Sequence, residues 1–262
     1  MCELLGMSAN VPTDITFSMA GFLRRGGATG PHRDGWGVAF YEAQGYREFK
    51  DPHPSIDSPV ARLILDYPIK SHIVISHIRQ ANVGEVALSN THPFARELWG
   101  RHWCYAHNGQ LKDHSSLPLG FYQPVGNTDS EHAFCWLLDQ IRAQLNAEHQ
   151  SLDQLLDILH PACEVLRQKG VFNLLLSDGR YLFAYCTTKL AWITRRAPFG
   201  PAVLKDTELE VDFAACTTPR DVVTVLATEP LTCNEDWQVL QSGQMVVFSQ
   251  GERVAERFSH AD

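Results

Sequence analysis

Apolar positions along this chain alternate between two periods, and each period predicts its own kind of element. From Cys2 to Met7 (CELLGM) they are nearly unbroken, which predicts a short buried strand. Across 15–27 (ITFSMAGFLRRGG) they fall at helical spacing and end on two glycines, predicting a helix and its stop. HRDGWGVAFYE (32–42) runs from a turn into an apolar strand, and SPVARLILDY (58–67) reads as a helix with proline near its start. The β-branched run HIVISHIR (72–79) predicts a buried strand. WCYAHNGQL (103–111) predicts a strand that runs into an Asn-Gly turn.

The strongest helical signal spans 127–145 (NTDSEHAFCWLLDQIRAQL). It opens on a Thr128/Glu131 capping box and carries apolar residues at 134, 137, 138, 141 and 145. A second helical stretch, 151–170, contains Pro161, which predicts a kink or a split there. After residue 170 the pattern becomes short strands: VFNLLLS, RYLFAYC, LAWITR, VVTVLAT and QMVVFSQ. The mixed order has no βαβ rhythm, no GxGxxG and no P-loop. It predicts an α+β fold of two antiparallel sheets with helices packed outside them.

Composition narrows the function classes. With 262 residues, 44% hydrophobic and 20% charged, the chain can build a sizeable core without metals or disulfides. The net charge of −8 and the lack of a basic run argue against nucleic acid as a partner. Nothing at the start has the pattern of a signal peptide, and no apolar run approaches the roughly 20 residues that cross a bilayer. Seven cysteines (2, 104, 135, 163, 186, 216 and 233) lack any CxxC spacing and several sit in apolar runs, which predicts buried, reduced thiols in a cytoplasmic protein. The twelve histidines show no HExxH and no ligand-spaced cluster, so no metal is expected.

Four short stretches carry candidate chemistry. Cys2 follows Met1, and removal of Met1 would place a thiol and a free α-amine on one residue. The amine, with a pKa of about 7.7–8.0, can accept the thiol proton and later return it to a leaving amine. The bland alternative is a small core residue at a strand start. Arg79 ends an apolar strand, where a buried guanidinium needs an anion; that anion is a protein carboxylate or a substrate carboxylate gripped by two parallel hydrogen bonds. Asn108 and Gly109 offer a carboxamide and an unobstructed N–H, the neutral donors of an oxyanion hole, or a simple hairpin turn. Asp129 begins the best helix, where it serves the helix dipole or holds an ammonium group. Arg33, in HRDGWG, is given a supporting role at most.

Taken together these stretches resemble one family. Cys2, His77-Ile-Arg79-Gln80-Ala81, Asn90-Thr91-His92-Pro93, His107-Asn108-Gly109 and Thr128-Asp129-Ser130-Glu131 occur in the order and spacing of the class II glutamine amidotransferases. MCELLGM and HRDGWGVAFY resemble the stand-alone, YafJ-type members. The resemblance implies an N-terminal nucleophile hydrolase fold, a four-layer αββα sandwich, formed by residues 1–262 as one glutaminase domain. It implies that Cys2 attacks the side-chain amide of glutamine, with Asn108 and Gly109 holding the oxyanion and no cofactor needed. Arg79 would bind the substrate α-carboxylate and Asp129 its α-ammonium, with His77, His92 and His107 in support.

Synthase-fused members have Trp after the motif Arg and a Thr-His pair soon after; here those positions hold Gln80, Asn82 and Val83. Asn82 could still hydrogen-bond the substrate carboxylate, and Val83 cannot. Since the pattern fills the chain, ammonia would pass to a separate synthase or simply be released. A γ-glutamyl conjugate is the alternative substrate. A silent, ligand-binding member is the alternative from another class, and it would follow if Met1 persisted and tied up the amine.

Overall fold

The structure is a computed structural model, and residues 2–81, 84–147 and 150–259 are described. The chain begins with β1 (Glu3–Asp14) and α1 (Thr16–Arg24), followed by the hairpin β2 (Trp36–Glu42) and β3 (Gly45–Asp51). Next come α2 (Pro59–Asp66), β4 (Lys70–Ile78), and a second hairpin of β5 (Phe94–Leu98) and β6 (Arg101–Leu111). α3 (Asp129–Gln144) and α4 (Leu152–Lys169) stand together before β7 (Gly170–Ser177), β8 (Leu182–Cys186) and β9 (Ala191–Arg196). β10 (Pro201–Val203) and β11 (Glu210–Asp212) form a two-stranded flap, and β12 (Val222–Ala227), β13 (Gln238–Val239), β14 (Gln244–Ser249) and β15 (Glu252–Phe258) close the chain.

Two antiparallel sheets result. One runs β13-β9-β12-β1-β4-β2-β3, and the other runs β15-β14-β8-β7-β6-β5. Because alternate strand residues face opposite sides, each sheet presents two apolar faces. Leu5, Met7 and Val74 pack against Met19 and Phe22 of α1 and Ile64 of α2. Tyr105, Leu174 and Leu176 pack against Phe134 and Leu137 of α3 and Leu159 of α4. Leu4, Ala39 and Ile75 of the first sheet meet Ala106, Leu175 and Ala184 of the second in the middle. The layers are therefore helix, sheet, sheet, helix, the expected αββα sandwich.

The main elements lie close to their predicted positions, with instructive differences. The first helix ends at Arg24, before the glycines. The Thr128 hydroxyl accepts from Glu131 N–H as expected, but the Glu131 carboxylate turns to Gly126 N–H and to Arg96 rather than closing the box. α4 passes through Pro161 as one helix, so the predicted split does not occur; Leu155 and Leu159 before the proline and Cys163 and Leu166 after it are buried on one core. That shared burial outweighs the one backbone hydrogen bond proline removes.

The Asn-Gly turn is also overturned. Asn108 and Gly109 lie inside β6, which pairs with β7 as far as Leu111 opposite Gly170. A Cβ at position 109 would overlap the Val171 carbonyl oxygen, so glycine is there for close strand approach and not for a turn. All seven cysteines are free; Cys104, Cys135, Cys163 and Cys186 are buried as expected, but Cys216 and Cys233 are exposed, since both lie in loops outside the sheets. No described helix is long and apolar enough to cross a membrane.

Candidate active site

The site begins where two paired strands end. β1 and β4 run antiparallel with Glu3 opposite Ile78, so Cys2 lies beside the residues that leave β4. Gln80 N–H donates to Cys2 Sγ at 3.3 Å, and the thiol lies 3.5 Å from Gln80 O. The turn before β2 clamps this segment. Asp34 Oδ2 accepts from Ala81 N–H at 2.7 Å, Asp34 N–H donates to Arg79 O at 3.2 Å, and Gly35 O accepts from Arg79 N–H at 2.8 Å. Gly35 has φ +110°, a conformation that favours glycine. Arg33 is exposed, donates to Gly27 O at 2.8 Å and does not reach the site. Its neighbour Asp34 does the supporting.

β6 and α3 supply the other wall. Asp129 is the first residue of α3, and its Oδ2 accepts from Leu111 N–H at 2.7 Å, tying the helix start to the strand end. His107 is buried, with Nδ1 2.8 Å from Ser130 Oγ and Nε2 3.0 Å from Val171 O. That pattern fits a neutral ring that accepts at Nδ1 and donates at Nε2. His77 Nε2 donates to His107 O at 3.1 Å, and the His92 ring lies 4.2 Å from the His77 ring. Burial drives all three imidazoles toward the neutral form: His77 is pushed down to about 3, His92 well below its ordinary value, and His107 is also lowered.

Cys2, Arg79, Gly109 and Asp129 converge on one cavity of about 30 Å³, together with Gln80, His92 and His107. Asn108 is not among its lining residues. It is fully buried one step behind, on the inter-sheet side of β6, and its Nδ2 donates to Thr228 Oγ1 at 3.3 Å. Asn82 lies outside the described residues. Arg79 is nearly buried and donates to Glu85 O at 2.9 Å and Gly84 O at 3.4 Å.

Burial lowers the Arg79 pKa, while Cys2, Asp34 and Asp129 oppose that shift. Burial also pushes the Cys2 thiol up, and Asp129 adds to this, against the Gln80 N–H and Arg79. A cation and an anion thus flank a mostly protonated thiol. No group of side chains that could hold a metal ion occurs among the described residues. A larger cavity of about 440 Å³, lined by Met7, Phe17, Arg195 and Phe213 among others, contains none of the candidate residues.

Sequence reasoning missed Asp34, Ser130 and Asn90 as parts of this architecture. Asn90 Nδ2 donates to Glu85 O at 3.0 Å and to Asn127 Oδ1 at 2.8 Å, so it joins the loop after Arg79 to the loop before Asp129. Each sits inside a motif the sequence displays, and the pairing partner is what the sequence cannot display.

The family described as glutamine amidotransferases class-II matches residues 1–261. The chain belongs to this family. YafJ of Escherichia coli (strain K12) is 61% identical to this amidotransferase family member over 254 residues, covering 97% of this chain and 100% of YafJ. A 2.0 Å crystal structure of a Pseudomonas aeruginosa PA01 chain, titled as a glutamine amidotransferase by prediction, superposes with a TM-score of 0.78 at 58% identity. It covers 97% of this chain and 100% of that one. The gamma-glutamyl-hercynylcysteine sulfoxide hydrolase of Mycobacterium tuberculosis (strain ATCC 25618 / H37Rv) is 33% identical over 88 residues, which is 33% of this chain and 35% of that protein.

Proposed function

We propose that this chain is an N-terminal-cysteine amidohydrolase, a single glutaminase domain that converts glutamine to glutamate and ammonia. The observation that carries the reading is the convergence of Cys2, Arg79, Gly109 and Asp129 on one cavity. With Met1 removed, the Cys2 α-amine takes the thiol proton as sulfur attacks the amide carbon. The carbonyl electron pair moves to oxygen, and Gly109 N–H and the Asn108 carboxamide receive that charge. Collapse of the tetrahedral species breaks the C–N bond, and the α-ammonium returns the proton to the departing ammonia. Water then attacks the thioester, and glutamate leaves with the thiol restored.

Arg79 and Asp129 grip the α-carboxylate and α-ammonium of the substrate, and Gln80 fixes the sulfur through its backbone N–H. The protein supplies nucleophile, base and donors, so the step needs no cofactor. Ammonia passes to a separate synthase or to solvent.

A second reading keeps the chemistry and enlarges the leaving group to that of a γ-glutamyl conjugate. It is favoured by the partial match to the mycobacterial hydrolase and by Gln80 standing where synthase-fused members carry Trp. A glutamate-release assay on glutamine and a panel of γ-glutamyl amines tests both. Turnover of glutamine supports the first reading, and turnover of conjugates alone transfers the function to the second. Inactivity on every substrate, by protein shown by intact mass to start at Cys2, rejects both in favour of a silent binding member.

A further inference from the structure

Asn108 has a hydrogen-bonding pattern that does not balance. Its carboxamide is fully buried, with Nδ2 3.3 Å from Thr228 Oγ1, while Oδ1 has no partner among the described residues. A buried carbonyl oxygen left unpaired forfeits the hydration it had in water and gains nothing in return. Thr228 is equally unbalanced. Its hydroxyl oxygen accepts from Leu4 N–H at 2.8 Å as well as from Asn108, which occupies both lone pairs and leaves its proton with no acceptor among the described residues. Thr228 N–H in turn donates to Leu4 O at 3.1 Å, so this residue is fastened at two points to the strand that begins beside Cys2.

Turning the carboxamide over about its Cβ–Cγ bond removes both faults. Oδ1 then accepts the Thr228 proton, and the Leu4 N–H bond is undisturbed. The –NH₂ group moves to the place now held by the oxygen that no donor among the described residues reaches. A preorganised neutral donor is what a developing oxyanion requires. Strand parity supports the direction. Leu4, Leu226 and Ala106 all face the inter-sheet core; Asn108, two residues after Ala106 in β6, lies on that same side, Thr228 follows Leu226 by two residues, and Cys2 precedes Leu4 by two.

We propose that Thr228 is a positioning residue for the hydrolysis: its hydroxyl, anchored on Leu4 N–H, donates to Asn108 Oδ1 and so aims Nδ2 at the substrate carbonyl oxygen. The inference rests on the reading of Asn108 as an oxyanion donor. It gives the end of β12 a part in the reaction, which none of the motif residues does.

The test is steady-state hydrolysis of glutamine and γ-glutamyl methylamide by wild type, Thr228→Val, Thr228→Ala and Thr228→Ser, alone and in an Asn108→Ala background. Thr228→Val is expected to lower kcat by about 10- to 100-fold with KM within about twofold, because the lost orientation acts on the transition state. Thr228→Ser keeps the hydroxyl and is expected to stay within about threefold of wild type. In the Asn108→Ala background Thr228→Val should cost less than about twofold, since the group it orients is gone.

Full multiplicative losses in the double variant, or a Thr228→Val enzyme with wild-type kcat, overturn the proposal. Should Thr228→Val not fold, Thr228→Ala, which also lacks a donor, serves in both backgrounds under the same criterion. An inactive wild type would reject the hydrolase reading itself, and this proposal with it; an active wild type indifferent to position 228 would reject this proposal alone.

Discussion

Cys2 stands between opposing influences, and its chemistry follows from their balance. Burial raises its pKa, and Asp129 pushes the same way, against Arg79 and the Gln80 N–H. The thiol is therefore protonated at neutral pH and depends on a base to act. We expect kcat/KM to climb with pH through the neutral-to-alkaline range, with no plateau between pH 5 and 6. A flat profile from pH 5 upward would indicate a preformed thiolate and contradict the assignment. Cys2→Ala should abolish turnover while leaving the thermal melting temperature within a few degrees of wild type.

Asn108→Ala should reduce kcat by about 10²–10³ if its carboxamide is an oxyanion donor. A loss smaller than tenfold would remove it from that role. Arg79→Lys should raise KM for substrates with a free α-carboxylate, because an ammonium lacks the planar fork. Equal KM values for the two proteins would reject the carboxylate assignment.

Among the elements, the start of β1 is held by a nearly buried arginine. Arg25 donates to Glu3 at 3.0 Å, to Asp206 at 2.9 Å, and to the carbonyls of Glu229 and Pro230, so it fastens β1 to the chain leaving β12. Both ion pairs are nearly buried. Arg25→Met should cost about 3–5 kcal/mol in urea unfolding, because it strands buried carboxylates. A cost below 1 kcal/mol would show that the pairs are not what holds the strand end.

Legibility at this scale followed burial. Core strands such as β4 and β7 and the helices announced themselves by apolar period. β3 (GYREFKD) and β15 (ERVAERF) are edge strands of their sheets with polar sequences, so no apolar period marked them. Asn108-Gly109 imitated a turn because glycine's other use, close backbone approach, leaves the same letters. The site itself was readable as motifs. The Asp34 clamp and the Thr228 contact were not, since they join residues 47 and 120 positions apart.

For the whole molecule, the buried imidazoles link folding to pH. His77 titrates near 6.5 in the unfolded chain and is held down to about 3 when folded, with burial the main cause and His107 and Arg79 adding to it. Below pH 6.5 the unfolded chain binds more protons than the folded one, so stability falls as pH drops toward 3 and is fully present above 6.5. His92 acts in the same direction. Urea midpoints measured from pH 7 to pH 4 should decline, and His77→Gln should flatten that slope even as it lowers the overall midpoint. An unchanged slope would place the acid sensitivity elsewhere.

The central claim is covalent: the Cys2 sulfur takes up a glutamyl group from an amide substrate. Acid-quenching the protein during turnover of glutamine or a γ-glutamyl amide, followed by peptide mass mapping, tests it directly. The account predicts a γ-glutamyl adduct confined to the peptide that starts at Cys2 and absent from the Cys2→Ala protein. Glutamate release with Cys2 unmodified, or an adduct on another cysteine that survives Cys2→Ala, would contradict it.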